Sequence, residues 1–108
     1  MDYLLGESIT LDFTTHNPLT GQVSDADVLP TCQVFENTTD VPILTPIVVR
    51  RAVLVGDYRL TFQAIVASGF ETGKSYNVIV TVIVAGITAK ARIASFTLRD
   101  KVGAHFRI

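Results

Sequence analysis

Apolar and polar residues alternate with period two in several separate runs of this chain, the pattern of half-buried β-strands. Ile9, Leu11 and Phe13 alternate with Thr10, Asp12 and Thr14, and Tyr58, Leu60, Phe62 and Ala64 alternate with Arg59, Thr61 and Gln63. A shorter run, Thr31–Glu36, puts Cys32 and Val34 on one face. Tyr76–Val84 alternates as well, but Ile79 and Ile83 make its second face β-branched too. That predicts a central strand covered on both sides. Ala85-Gly86 reads as a two-residue hairpin turn. The return strand sets Ile87, Ala89, Ala91 and Ile93 against Thr88, Lys90 and Arg92, after which Phe96 and Leu98 fall in the opposite phase. Side chains change face at every residue of a strand, so this slip predicts a bulge near Ala94-Ser95.

The segments between these runs carry turn chemistry. Asn17-Pro18 with Gly21, Asn37–Asp40 and Gly56-Asp57 read as turns, and Ser24–Pro30 as a loop. Ala67–Ser75 is a loop with Gly69 and Gly73 and room for one helical turn. Pro42 and Pro46 bracket Ile43–Thr45. Proline cannot donate to a ladder, so this piece is an edge strand or a crossing loop. Ile47–Val55, apolar apart from Arg50 and Arg51, reads as a strand whose basic residues face water or a partner. No segment sustains helical periodicity. Strands separated by turns about every ten residues predict an all-β sandwich or small barrel.

Composition supports one packed domain. The chain has 108 residues, 48% of them hydrophobic, which excludes a disordered chain. Its single cysteine, Cys32, excludes an internal disulfide and a four-cysteine zinc site. Met1–Ser8 lacks the basic-then-apolar order of a secretory signal, so a soluble protein made in a cytoplasm is expected. The longest apolar stretch, Val78–Ile87, is interrupted by Thr81 and Gly86 and is too short for a membrane helix. Net charge is −1, but seven of the ten acidic residues precede Arg50 and all nine Lys and Arg lie from Arg50 onward. This split fits two opposed faces that meet neighbouring subunits, and it equally fits interleaved strands whose charges pair inside the domain.

The search for reactive groups returns little. Cys32 would need His16 or His105 as a base, and its place on an apolar strand face is that of a small core residue. There is no G-x-S-x-G elbow and no phosphate-cradling glycine loop. Asp25 and Asp27 offer oxygens to calcium, but the six to eight ligands this cation takes are not visible, and a solvated acidic loop explains them. Asn37-Thr38-Thr39 fits a glycosylation sequon and also a plain turn. Arg50-Arg51 and the basic tail lack the aromatic platforms of a nucleic-acid surface. The tail from Arg99 carries Lys101, His105 and Arg107 between Val102, Phe106 and Ile108. That alternation suits an arm on a neighbouring subunit as well as a free terminus. The expectation is therefore no catalytic set, no metal and no cofactor. The candidate assembly contacts are Arg50, Arg51, Arg99, Lys101, Phe106, Arg107 and Ile108.

Five segments together suggest a family. They are "GESITLDFTT" at Gly6–Thr15, "DADVLPTCQVFE" at Asp25–Glu36, "GDYRLTFQA" at Gly56–Ala64, "GFETGKSYNVIV" at Gly69–Val80 and "GITAKARIASF" at Gly86–Phe96. In order and spacing the chain resembles the small immunoglobulin-like domains of tailed-bacteriophage virion structural proteins. The resemblance covers nearly all of the chain except the tail, and its motifs are turn and core patterns. It implies an immunoglobulin-like β-sandwich of about seven antiparallel strands over residues 1–98, with 99–108 as a tail or docking arm. Tyr76, opening a valine-rich strand after a glycine-containing loop, is then either the corner tyrosine of such folds or a plain buried tyrosine. The resemblance also implies a non-enzymatic virion component made in the host cytoplasm. The first expectation is a capsid-attached decoration or cementing protein that binds other virion proteins or further copies of itself, but neither nucleic acid nor membrane. The alternative is a neck, tail or fibre accessory domain that binds host carbohydrate, for which Tyr3, Phe35, Phe70 and Phe106 are the candidate exposed aromatics.

Overall fold

The computed structural model describes residues 2–51 and 54–99. They form two β-sheets packed face to face. The strands are β1 (Asp2–Leu4), β2 (Ser8–Thr14), β3 (Thr31–Glu36), β4 (Pro42–Leu44), β5 (Val48–Arg50), β6 (Asp57–Gln63), β7 (Ser75–Val84) and β8 (Ile87–Arg99). One sheet has the order β1-β8-β7-β3-β4 and the other β2-β6-β5. Only β1 and β8 run parallel. The sole helical element among the described residues is a 3-10 turn, Val66–Ser68, inside the glycine-containing loop.

The alternations of β2, β3, β6 and β7 become strands with their apolar face inward, whereas the first half of β8 is exposed on both faces. Ile9 of β2, Cys32 and Val34 of β3, Tyr58, Leu60 and Phe62 of β6, and Tyr76, Val78 and Val80 of β7 share one core. The prolines act as expected. Pro42 opens the edge strand β4, which pairs with β3 alone, and the chain then crosses to β5 in the other sheet. The bulge lies at Ile93, one residue before the expected place. Val78 pairs with Ala94 and Ile79 with Arg92, so Ile93 has no partner. The extra residue turns Ala94, Phe96 and Leu98 into the core, where the alternation upstream would have faced them outward.

Three expectations are corrected. β7 is central, but only one of its faces is buried; Asn77, Ile79, Thr81 and Ile83 are half-exposed because no second layer covers the outer side of this sheet. Among the described residues of the run Ile47–Val55, Val48–Arg50 alone form a strand. After Arg50 the chain curls, with the Arg51 amide donating to the Asp57 carbonyl and the Leu54 amide to the Arg51 carbonyl. Arg99 ends β8 opposite Leu4 and so belongs to the sheet. β1 itself carries too few residues to register as alternation, yet it matters for packing. Its Tyr3 stands edge-on to Phe96, with ring centroids 5.5 Å apart and planes at 84°.

Two tyrosines tie loops to the sheets. Tyr76, the second residue of β7, is fully buried, and its hydroxyl accepts from the Glu71 amide at 2.8 Å and lies 3.4 Å from the Glu71 carbonyl. Burial raises its pKa, keeping the phenol protonated. Tyr58 of β6 stacks on Phe13 and accepts from the Ala26 amide at 2.9 Å. Replacing Tyr76 with Phe keeps the ring but leaves the Glu71 amide unpaired. We expect a loss of about 1–2 kcal/mol in urea unfolding, with the sheet spectrum by circular dichroism unchanged.

Candidate assembly surface

The register puts one set of loops at one end of the sandwich. Thr14 pairs with Asp57, Arg50 with Tyr58 and Thr31 with Thr81, so residues 15–30, Arg51, residues 54–56 and the hairpin turn at Ala85-Gly86 gather there. Asp25 and Asp27, two residues apart, hold this end together. The Asp25 carboxylate takes both Arg50 Nε (3.2 Å) and an Arg50 terminal nitrogen (3.0 Å), and it also accepts from the Gly56 amide at 2.6 Å. Asp27 accepts from the Ala85 and Gly86 amides at 3.1 and 2.8 Å, while its own amide donates to the Ile83 carbonyl. Ala85 and Gly86 have φ of 52° and 76°, the doubly left-handed turn of tight hairpins, whose amides point out of the ladder. Asp27 supplies the acceptors these amides lack. Both aspartates thus serve as braces between the sheets, and no group of three or more His, Cys, Asp or Glu suited to a metal occurs among the described residues.

The charge split is partly spent inside the domain, through Asp2, Asp12 and Asp25. Asp12 holds Arg59 across β2 and β6, with Arg51 at 3.4 Å. Arg51 also meets Asp57 at 3.1 Å, and Arg99 meets Asp2 at 2.8 Å. Acidic residues of the first half therefore pair with arginines of the second, which is the interleaved arrangement. Of the candidate contacts, Arg50, Arg51 and Arg99 lie in these pairs, and Lys101, Phe106, Arg107 and Ile108 fall outside the described residues. Hydrogen bonds from Arg59, Arg50 and Arg99 hold the Asp12, Asp25 and Asp2 carboxyls below their ordinary 3.8. The unfolded chain therefore takes up protons first as pH falls. The stability these pairs add at neutral pH is lost as pH drops below 3.8 and through the lower folded values. The melting temperature is expected to fall over that window, and Asp12→Asn should flatten the fall. A profile flat across that window in the parent protein would refute the pairing.

Cys32 is 1% exposed within the core, and burial pushes its thiol up to about 11. His16 is exposed in the loop end, bridged to Val23, and His105 falls outside the described residues. A protonated, enclosed thiol is a poor nucleophile. Thiol reagents at mildly alkaline pH are expected to leave Cys32 unmodified in the native protein and to label it fully in denaturant, as read by mass spectrometry. Asn37 of the sequon accepts from the Asn77 side-chain amide at 3.0 Å and closes the turn after β3. Among the candidate sugar-binding aromatics, Phe70 is fully buried against Phe62 and Tyr76, and Tyr3 covers Phe96; Phe35 is half-buried and Phe106 lies outside the described residues. No exposed aromatic platform for a sugar ring forms among the described residues.

What the loop end does expose is aliphatic. Leu19, Val23, Val28, Leu29, Leu54 and Val55 are between 49 and 72% exposed. Sequence reasoning missed them because an apolar residue in a loop carries no periodic signal of which way it faces. Val23 is fixed against the turn at Gly56: a Cβ on Gly56 would come within 2.8 Å of its side chain and within 2.9 Å of the Ser24 and Thr15 carbonyls. The site these observations define is an apolar rim on braced loops at one end of an all-β sandwich. In comparisons with known proteins, no family model, no curated protein and no solved structure matches this chain.

Proposed function

We propose that this chain is an immunoglobulin-like domain of a tailed-bacteriophage virion, a non-enzymatic structural protein that attaches to the capsid as a decoration or cementing protein. The fold reading is supported by the sheet orders. β2-β6-β5 and β8-β7-β3 match the two halves of an immunoglobulin sandwich, with β4 added beside β3 as in the variable type. The Tyr76 hydroxyl on the Glu71 backbone, five residues upstream, has the geometry of the tyrosine corner. The disulfide and tryptophan of antibody domains are missing, and four aromatic rings around Phe96 occupy the core instead.

The observation that carries the role is the aliphatic loop end. Leu19, Val23, Val28, Leu29, Leu54 and Val55 expose large apolar groups on the loops of this end, as Val41, Ile47 and Val66 do elsewhere, and such groups on adjoining loops suit a surface that another protein covers. The loops that present them are braced by Asp25, Asp27 and Tyr58, so little ordering entropy remains to be lost on docking. Purified protein mixed with capsids of its phage should co-sediment with them. Leu54→Asp with Val55→Asp should abolish co-sedimentation while leaving the melting temperature within a few degrees of the parent. Equal co-sedimentation of the variant would show that this end is not the contact, and no co-sedimentation of the parent would remove the proposal.

A further inference from the structure

β8 is covered on its outer edge only at its end. β1 pairs with Thr97–Arg99, and among the described residues no backbone pairs with that edge from Ile87 to Ser95. Ile87–Arg92 are all exposed. The orientation of the free groups follows from the turn. Val84 and Ile87 close a two-residue hairpin, so Ile87, Ala89 and Ala91 point their amides and carbonyls at β7, and Thr88, Lys90 and Arg92 point theirs away. The Ile83 carbonyl, which accepts from the Asp27 amide on the far side of β7, fixes the same phase, since Ile83 is the partner of Thr88. Three successive outward-facing residues thus offer a row of unpaired donors and acceptors.

The side chains along this row are sorted by face. Lys90 and Arg92 lie on one face with Thr88; Ile87, Ala89 and Ala91 lie on the other. Among the described residues Lys90 and Arg92 are the cations without an acidic partner, every other Lys and Arg being held in an ion pair. A second copy of β8 laid antiparallel here would set Lys90 and Arg92 against their own like charges. The stretch after β8 carries Lys101 and Arg107 against the single carboxylate of Asp100, so its sequence offers no alternating acidic residues to this edge. We propose that the Ile87–Arg92 edge accepts an extended strand from a different protein, one whose acidic residues alternate with apolar ones. Backbone bonds to Thr88, Lys90 and Arg92 supply the pairing. Carboxylates opposite Lys90 and Arg92 set the register, and apolar side chains extend the face of Ile87, Ala89 and Ala91. The inference is independent of the particle to which the partner belongs.

The probe is a synthetic peptide alternating glutamate with valine, set against a scrambled peptide of the same composition and a third with lysine for glutamate. Added to the full isotope-labelled chain, the alternating acidic peptide should shift the amide resonances of Thr88, Lys90 and Arg92 and slow their hydrogen exchange. The scrambled and lysine peptides should not. Lys90→Glu with Arg92→Glu should weaken the acidic peptide by about tenfold or more and create binding of the lysine peptide. Thr88→Pro removes an outward amide that β7 does not use, so it should abolish binding while the remaining hairpin resonances stay in place. Equal shifts from the scrambled peptide, or none from the acidic one, would overturn the proposal and leave Lys90 and Arg92 as guards against edge-to-edge aggregation.

Discussion

Phe96→Ala should destabilise the domain by about 3–5 kcal/mol, a large part of the total stability of a domain this size. The reason is its position between elements distant in sequence. Phe96 is 2% exposed, with Tyr3 of β1 edge-on to it and Tyr76 of β7 stacked 5.6 Å away. Phe62 of β6 reaches it from the other sheet, and Phe70 from the loop. Removing the ring strips contacts from both sheets and from the parallel β1 at once, and four aromatic rings cannot all collapse into the space left. Urea unfolding followed by circular dichroism is the measurement. Phe13→Ala provides the contrast, because Phe13 is only half-buried and stacks on Tyr58 alone. A loss at Phe96 no greater than at Phe13 would place the centre of the core elsewhere.

Gly56→Ala is the second large effect. At φ of 71° a non-glycine residue is strained by about 1–2 kcal/mol. Here the added Cβ also meets two backbone carbonyls at 2.9 Å, and backbone cannot swing aside as a side-chain tip can. Overpacking of this kind costs a further 1–3 kcal/mol or so, for a total of about 2–5 kcal/mol. The damage should be local in kind. The Gly56 amide donates to Asp25 and its carbonyl accepts from the Thr15 amide, so displacing it loosens the Asp25–Arg50 brace and the loop end together. Thermal melts give the size of the loss, and amide exchange at Thr15 and Gly56 shows its location. Gly21→Ala, where nothing lies within 4 Å of the added Cβ, should cost less.

Strands β2, β3, β6 and β7, the hairpin turn and the bulge were readable from the sequence because each expresses itself within its own stretch of chain. Alternation of Ile9, Leu11 and Phe13, or the phase slip before Phe96, needs no knowledge of neighbours. β1 was not readable, since three residues held by parallel pairing to β8 leave no period to detect. The run Ile47–Val55 misled for the opposite reason. A run apolar apart from Arg50 and Arg51 reads as a strand with its basic residues outward, yet Val49, Leu54 and Val55 turn outward as well. Residues distant in sequence decided the rest. The roles of Asp25 and Asp27 depend on Arg50 and on a hairpin turn nearly sixty positions away, and no spacing rule connects them. The charge split was visible, but its meaning depended on which strands became neighbours. Once Asp12, Asp25 and Asp2 are paired, the cations left without an acidic partner among the described residues are Lys90 and Arg92 on the outer edge of β8.

Among the described residues this leaves two surface features without partners, an aliphatic loop end and an open strand edge. Both are features of a protein that assembles. The most direct measurement of the proposed role is mass spectrometry of purified virions of a tailed phage whose genome carries this sequence, the source the proposal requires. The account predicts the chain in gradient-purified particles at a fixed stoichiometry to the major capsid protein, retained after high-salt washing because the contact is chiefly apolar. Its absence from the particles while abundant in the infected cell would contradict the account.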